Sequence, residues 1–179
     1  GGLSIYGALL GFLATSIVFL RKYGYNLWLW FDLMMPSILF GLIILQLANF
    51  MMQFSLGTPL GLDIPNDHSL AEYVEYRYRP TGFEAYQYFQ PVALYQAFAY
   101  SIVFMISVLC LLINRKYKFL AEGTVFLFSV ILMAIIRFGI GFMYFSVNKD
   151  MLLYPMQWIA LTVMIATVFI YVVKRFQHN

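Results

Sequence analysis

The sequence predicts an all-α membrane protein, a bundle of about five transmembrane helices with an outward-facing loop over residues 53–90. Three observations support this fold class. First, hydrophobic residues make up 63% of the 179 residues and charged residues only 11%, whereas a soluble domain is about half apolar and a quarter charged. Second, the apolar residues gather into five long runs. Third, lysine and arginine recur at alternate connections between those runs.

Each apolar run is long enough to cross a bilayer, whose hydrocarbon core takes about 20 helical residues. Because unpaired backbone amides are not tolerated in lipid, and the runs are too long for barrel strands, each run is expected to be a helix. Together they predict a single transmembrane domain over residues 1–179, with spans at approximately 3–20, 27–52, 91–113, 124–147 and 152–173.

The orientation follows from the basic residues, which concentrate in cytoplasmic loops. Basic clusters come after the first, third and fifth runs, at Arg21, Lys22, Arg115, Lys116, Lys118, Lys174 and Arg175. The 53–90 loop instead carries five acidic residues against two arginines. We therefore expect the C-terminus to be cytoplasmic, and the start of the chain and the 53–90 loop to be external.

The 53–90 loop is too long to be a plain connection. Its first part, "GTPLGLDIPNDHS", is rich in turn-forming residues. Its second part, "AEYVEYRYRPTGFEAYQYFQ", alternates tyrosine with charge, and such amphipathic rings favour a membrane surface. Two structures fit this pattern, a short interfacial helix that ends before Pro80 and a flap over the outer face.

Several amide side chains lie within or beside the apolar runs, where polar groups need a partner or a function. Gln46 and Asn49 lie one turn apart and face the same side of their helix. Gln90 and Gln96 flank Tyr95 at the outer start of the third run, and the fifth run has a glutamine near its outer part. Hydrogen bonds between helices, each contributing about 1 kcal/mol, are the alternative to a ligand-binding role.

Arg137 lies in "MAIIRFGIG", about midway along the predicted fourth span. A guanidinium is costly there, and its five donors suit a phosphate. We expect it to face an anionic ligand, with structural pairing to tyrosines or helix carbonyls as the alternative. Asp32, near the start of the second run, is expected to be an interfacial residue or a helix cap. His68 and His178 lack metal-ligand spacing, so neither a metal nor another cofactor is expected.

Seven segments along the chain resemble, in order and at compatible spacing, the motifs of the prolipoprotein diacylglyceryl transferases. These are membrane enzymes that lipidate bacterial prelipoproteins. The segments are "GGLSIYG", "DLMMP", "GLIILQLANF", "LGTP", "QPVALYQ", "IRFGIGF" and "PMQW". Each short motif is weak alone, but the ordered set covers nearly the whole chain and indicates kinship.

The resemblance implies transfer of a diacylglyceryl group from phosphatidylglycerol, or another anionic phospholipid, to a signal-peptide cysteine in the bacterial plasma membrane. Arg137 would stabilise the departing glycerol phosphate, and Tyr95 is a weak candidate for the base. The candidate substrate-binding residues are Gln46, Asn49, Gly57, Gly1, Gly2, Gln90 and Gln157. No nucleic acid partner is expected, because the net charge is only +3.

The chain departs from the family pattern where charge is expected. Gln46 stands in place of an arginine, Gln90 of a histidine, and Gln96 and Gly141 of glutamates. The family also has a histidine before the first glycines and further spans upstream. We therefore expect either a partial chain or a divergent short protein.

Three functions remain open from the sequence. The first is an active diacylglyceryl transferase. The second is a catalytically impaired relative that binds phospholipid or signal peptide, for example as a subunit of a membrane complex. The third is a channel or transporter subunit with Arg137 along a polar path, which the absence of a charged ring in the sequence disfavours.

Overall fold

The computed structural model describes residues 5–61, 70–144 and 155–178. These residues contain five α-helices, which follow the predicted spans in order: α1 (Ile5–Lys22), α2 (Leu27–Met51), α3 (Val92–Tyr117), α4 (Thr124–Ile140) and α5 (Pro155–His178). Within the described residues, the helices α2 to α5 are long and apolar enough to cross a membrane. The predicted helical membrane protein is therefore confirmed, while membrane crossing by α1 stays a prediction.

The helices α2 to α5 pack as two pairs, α2 with α3 and α4 with α5, which are joined through α3 and α4. The most extensive contacts join α2 to α3 and α4 to α5, and α3 also packs on α4. The core contains Met35 and Leu39 of α2 and Val103 of α3, all fully or nearly fully buried. Phe126 and Val130 of α4 pack against this cluster. The central part of the bundle is thus held by interlocking apolar side chains of α2, α3 and α4.

Asp32 of α2 caps the N-terminus of α4. The side chain is 2% exposed, and its two carboxylate oxygens accept hydrogen bonds from the backbone N–H groups of Gly123 at 2.6 Å and Phe126 at 2.7 Å. The first N–H groups of a helix have no partner within the helix and attract negative charge. The predicted cap is confirmed, although the helix it caps is α4 and not its own.

A small antiparallel sheet covers one end of the bundle. It has the order β1-β3-β2, formed by β1 (Pro59–Gly61), β2 (Glu72–Tyr73) and β3 (Tyr88–Phe89). Because β3 leads directly into α3, this sheet lies where α3 begins and where α2 and α4 end. We call this the sheet end, and we call the opposite end, which carries the basic clusters, the basic end.

The second half of the 53–90 loop is therefore a flap and not an interfacial helix. Its helical content among the described residues is one 3-10 turn at Tyr76–Tyr78. Gln53, just after α2, ties the flap to the bundle: its side chain donates to the carbonyl of Tyr73 at 2.7 Å and accepts from the N–H of Glu75 at 3.2 Å. Of the two structures that the sequence left open, the flap is favoured, because the helix before Pro80 is limited to this single 3-10 turn and the neighbouring backbone is held by side-chain hydrogen bonds.

Candidate functional site

Gly57 and Gln90 meet in a backbone junction at the sheet end. The N–H of Gly57 donates to the carbonyl of Gln90, the N–H of Gln90 to Thr58, and the N–H of Thr58 to Met143, each at 3.1 Å. A side chain at Gly57 would place its Cβ 2.6 Å from the carbonyl oxygen of Gln90. This close approach requires glycine. Two predicted substrate-binding residues thus lie together, in a junction that links the segments after α2, before α3 and after α4.

Gln46 and Asn49 form a hydrogen-bonded pair on α2. The amide of Asn49 donates to the side-chain oxygen of Gln46 at 3.2 Å, as their shared face predicts. Gln46 is 4% exposed and lies two turns beyond Leu39, on the stripe that packs against α3 and α4. The pair therefore extends the packed face of α2 toward the sheet end as a polar patch.

Arg137 lies in the last turn of α4. The expectation of a mid-span position is wrong because α4 ends at Ile140 and continues as a 3-10 helix over Gly141–Met143, short of the predicted boundary at 147. Arg137 also lies one turn beyond Met133, on the face of α4 that packs on the core. The guanidinium belongs to the sheet end of the bundle.

Arg137 and Gln46 lie at similar depth. Asp32 of α2 contacts the backbone of Phe126 in α4, which sets the register of the two helices. At 1.5 Å per residue, Gln46 lies about 21 Å from Asp32 along α2, and Arg137 lies about 17 Å from Phe126 along α4. The two positions thus differ by less than one helical turn, on faces that pack toward each other.

Arg137 lines a cavity of about 250 Å³ among α3, α4 and α5. Tyr100 of α3 and Met133 of α4 form part of its wall, with Met156 and Val163 from α5. The guanidinium donates to the sulfur of Met156 at 3.8 Å. A cation beside mainly apolar walls is suited to an amphiphile with an anionic headgroup.

A hydrogen-bonded chain of three polar side chains borders this cavity. Tyr144 donates to the side-chain oxygen of Gln96 at 3.0 Å, and the Gln96 amide donates to Tyr100 at 2.8 Å. Gln96 is completely buried. The sequence drew attention to Gln96 as an amide that needs a partner and as a departure from a motif. The four-residue spacing to Tyr100 was the available signal for their contact, and nothing local pointed to Tyr144.

Gln157 occupies the space beside Gly141. The amide is completely buried and donates to the carbonyl of Phe138 at 3.2 Å. A Cβ at Gly141 would lie 2.6 Å from Cγ of Gln157. A glutamate at position 141 therefore cannot be accommodated unless the glutamine moves.

Tyr95 lines a different groove from Arg137. Its hydroxyl donates to the carbonyl of Leu70 at 3.4 Å, and it borders a groove of about 520 Å³ between α2 and α3, with Ile43 and Leu47. The structure does not bring these two predicted catalytic side chains into one cavity among the described residues. Gly1 and Gly2 lie outside the described residues.

Comparison with known proteins assigns the chain to a family. The family model for prolipoprotein diacylglyceryl transferase matches residues 1–173. The chain belongs to this family. The match confirms the resemblance recognised from the ordered segments. Together with the apolar helices, it identifies the chain as a multi-pass membrane protein of a transferase family.

The relatives share sequence over most of this chain but extend beyond it. The phosphatidylglycerol–prolipoprotein diacylglyceryl transferase of Shouchella clausii is 30% identical over 178 residues, which cover 98% of this chain and 60% of the relative. The transferase of the same name from Geobacillus kaustophilus is 29% identical over 176 residues, which cover 62% of that relative. That from Halalkalibacterium halodurans is 33% identical over 140 residues. The chain spans about three fifths of the length of the first two relatives. No solved structure matches it.

Proposed function

We propose that this chain carries out diacylglyceryl transfer from phosphatidylglycerol to the signal-peptide cysteine of a bacterial prolipoprotein, at the sheet end. The relatives are named for diacylglyceryl transfer between phosphatidylglycerol and prolipoprotein, and the signal-peptide cysteine is the acceptor that we infer. The observation that carries the proposal is the position of Arg137 in the wall of a mainly apolar cavity. A lipid with an anionic headgroup has the two properties that this cavity matches.

The chemistry requires stabilisation of a departing phosphate. The cysteine thiol loses its proton, the sulfur forms a bond to the glyceryl carbon, and the carbon–oxygen bond to the phosphate breaks. Glycerol phosphate leaves with the electron pair, and the proton goes to the departing phosphate or to water. Arg137 would donate charge-assisted hydrogen bonds to those oxygens. Removal of one such donor from an acyl-transfer site costs about 10²–10³ in rate, so a single guanidinium accounts for a substantial part of the catalysis.

Gln46 and Asn49 would contribute neutral donors at the depth of Arg137. Gln46 replaces an arginine of the family pattern, and neutral hydrogen bonds to an anion are weaker than charged ones. We expect these amides to orient the headgroup, with Gln157 and the Gly57–Gln90 junction shaping the surrounding backbone. Tyr95, the candidate base from the sequence, lines a separate groove of α3, so it would not reach a thiol placed beside Arg137 in this arrangement.

We also propose that the sheet end faces outward and the basic end faces the cytoplasm. The support is the distribution of charge, because Arg115, Lys116 and Lys118 all cluster at one end. In a Cys110→Ser background, a cysteine introduced at Tyr76 should react with a membrane-impermeant maleimide in intact cells. One introduced at Lys118 should react only after permeabilisation. The reverse pattern would overturn the orientation.

The transfer is tested with the purified chain in vesicles that contain radiolabelled phosphatidylglycerol and a peptide with a lipoprotein signal-peptide cysteine. We expect label to move to the peptide, and no movement when the cysteine is replaced by serine. A blank result from a chain that still melts cooperatively would contradict the proposed activity.

A second function is favoured by the lack of space for a larger side chain at Gly141. Gln157 fills the space of the family glutamate, and Gln96 is held by two tyrosines, so both sites lack charge. A relative of this kind would bind phospholipid or signal peptide without turnover. Saturable phosphatidylglycerol binding in the absence of label transfer would support this function over the first.

A further inference from the structure

A groove at the basic end lies far from the site described above. It has a volume of about 620 Å³ and lies between α2 and α3, with Leu29 and Leu33 on one side and Leu111 and Leu112 on the other. Along α3, Leu111 in the groove lies 11 residues beyond Tyr100 in the wall of the Arg137 cavity, about 17 Å at 1.5 Å per residue, and the two share no lining residue. The groove is therefore separate from the cavity of Arg137.

The rim of this groove is basic. Arg115 and Lys118 line it together with Glu122, and both cations are exposed. Glu122 accepts a hydrogen bond from the side chain of Asn26, so part of its acceptor capacity is already used. Two cations against one engaged carboxylate give the rim a net positive charge, which attracts an anionic group.

The backbone that carries the rim is held in place. Asn114 uses both atoms of its amide on Leu120, donating to its carbonyl at 3.3 Å and accepting from its N–H at 2.8 Å. Lys118 ends α3 in the left-handed conformation, with φ of 51°, and its N–H donates to the carbonyl of Asn114. The rim is thus preorganised, which lowers the entropic cost of ligand binding.

We propose that this groove binds one anionic phospholipid, with its headgroup between Arg115 and Lys118 and an acyl chain along the leucines. Leu33 and Leu112 are 56% and 59% exposed, so hydrocarbon is the medium that surrounds this wall in a membrane. A basic rim at the end of an apolar wall matches the polarity of a lipid headgroup followed by its chains. Under the orientation proposed above, the lipid belongs to the cytoplasmic leaflet.

The test separates a site from diffuse attraction by the basic end. The full chain carrying Arg137→Gln, which weakens the other anionic site, is placed in nanodiscs of phosphatidylcholine with a minority of phosphatidylglycerol. Retained lipid is then counted by native mass spectrometry. Arg115→Gln/Lys118→Gln is compared with Lys22→Gln/Lys116→Gln, which removes the same charge from residues that do not line the groove.

We expect the rim variant to lose one retained phosphatidylglycerol and to bind it about 30-fold more weakly, since each cation near the surface contributes about 1 kcal/mol. The matched variant should retain it. Thermal melts in detergent establish that both variants are folded. Equal losses in the two variants would indicate diffuse attraction and overturn the site. Retention in both variants would overturn the headgroup assignment. Displacement of the lipid by free glycerol phosphate at equal concentration would show that the acyl chain contributes nothing and would overturn the assignment of a lipid.

Discussion

The buried amides of the bundle have hydrogen-bond partners within the protein, and the cation at the sheet end lines a cavity. Gln46 pairs with Asn49, and Gln96 is held by tyrosines on both of its polar atoms. Gln96, whose two polar atoms are both paired, needs no ligand to offset its desolvation. Arg137 lies in a mainly apolar wall, where one of its contacts is the sulfur of Met156. The proposed headgroup contact rests on this side chain.

Glu72 predicts a pH dependence of stability. It is 6% exposed, one of its oxygens has no hydrogen-bond partner among the described residues, and its strand partner Phe89 is buried. Burial raises the pKa of Glu72 from its usual 4.5 to about 7. The folded protein therefore holds this proton more tightly than the unfolded chain. The contribution of Glu72 to the free energy of unfolding is greatest below about pH 4.5 and is lost as the pH rises through 7.

The expected loss from Glu72 is at most about 3 kcal/mol between those limits, from 1.36 kcal/mol per pKa unit. Melting temperatures in detergent across this range should fall with pH for the native chain and vary less for Glu72→Gln. Glu75→Gln is the matched control, because Glu75 is exposed and pairs with Arg77. A slope in Glu72→Gln as steep as the native one would contradict the assignment.

Much of the residue-level picture could be predicted where partners are close in the chain. The contact of Gln46 with Asn49 follows from helical spacing, and the cap by Asp32 follows from its place at a helix end. The helix that Asp32 caps could not be predicted from the sequence, because Gly123 is 91 residues away. The link from Gln96 to Tyr144 was missed for the same reason, since it joins separate elements.

Among the elements, the junction after α2 depends on Gly57. Replacement by alanine would bring a Cβ to 2.5 Å from the side chain of Val92, and overpacking of this kind costs about 1–3 kcal/mol. We expect a lower melting temperature for Gly57→Ala. Gly41→Ala is the control, because a Cβ there meets nothing within 4 Å. Equal melting temperatures in the two variants would show that the junction tolerates a side chain.

The helices were predictable and the sheet was not. Runs of twenty or so apolar residues specify a spanning helix almost by composition. Strands of two or three residues are too short for an alternating pattern to be recognised, and backbone pairing across β1, β2 and β3 sets them. The end of α4 was misplaced because apolar residues continue beyond Ile140, although the glycines at 139 and 141 were a local warning.

At the scale of the whole molecule, the bundle separates two environments. The sheet end combines the Gly57 junction, the Gln46–Asn49 pair and Arg137, and the basic end combines the basic clusters with the leucine groove. Family membership rests on a match over residues 1–173. The position of Arg137 supports the proposed lipid site at the sheet end. The cations around the leucine groove support the proposed phospholipid site at the basic end.

The central claim is that Arg137 holds an anionic lipid headgroup. It is tested most directly by phosphatidylglycerol binding in the Arg115→Gln/Lys118→Gln background, so that the rim of the groove does not contribute. Arg137→Gln should weaken binding about 10- to 100-fold, since a hydrogen bond to a charged group contributes about 1.5–3 kcal/mol. Arg77→Gln, at an exposed flap residue, should leave it unchanged. Equal affinities for the Arg137→Gln and Arg77→Gln variants would contradict the account.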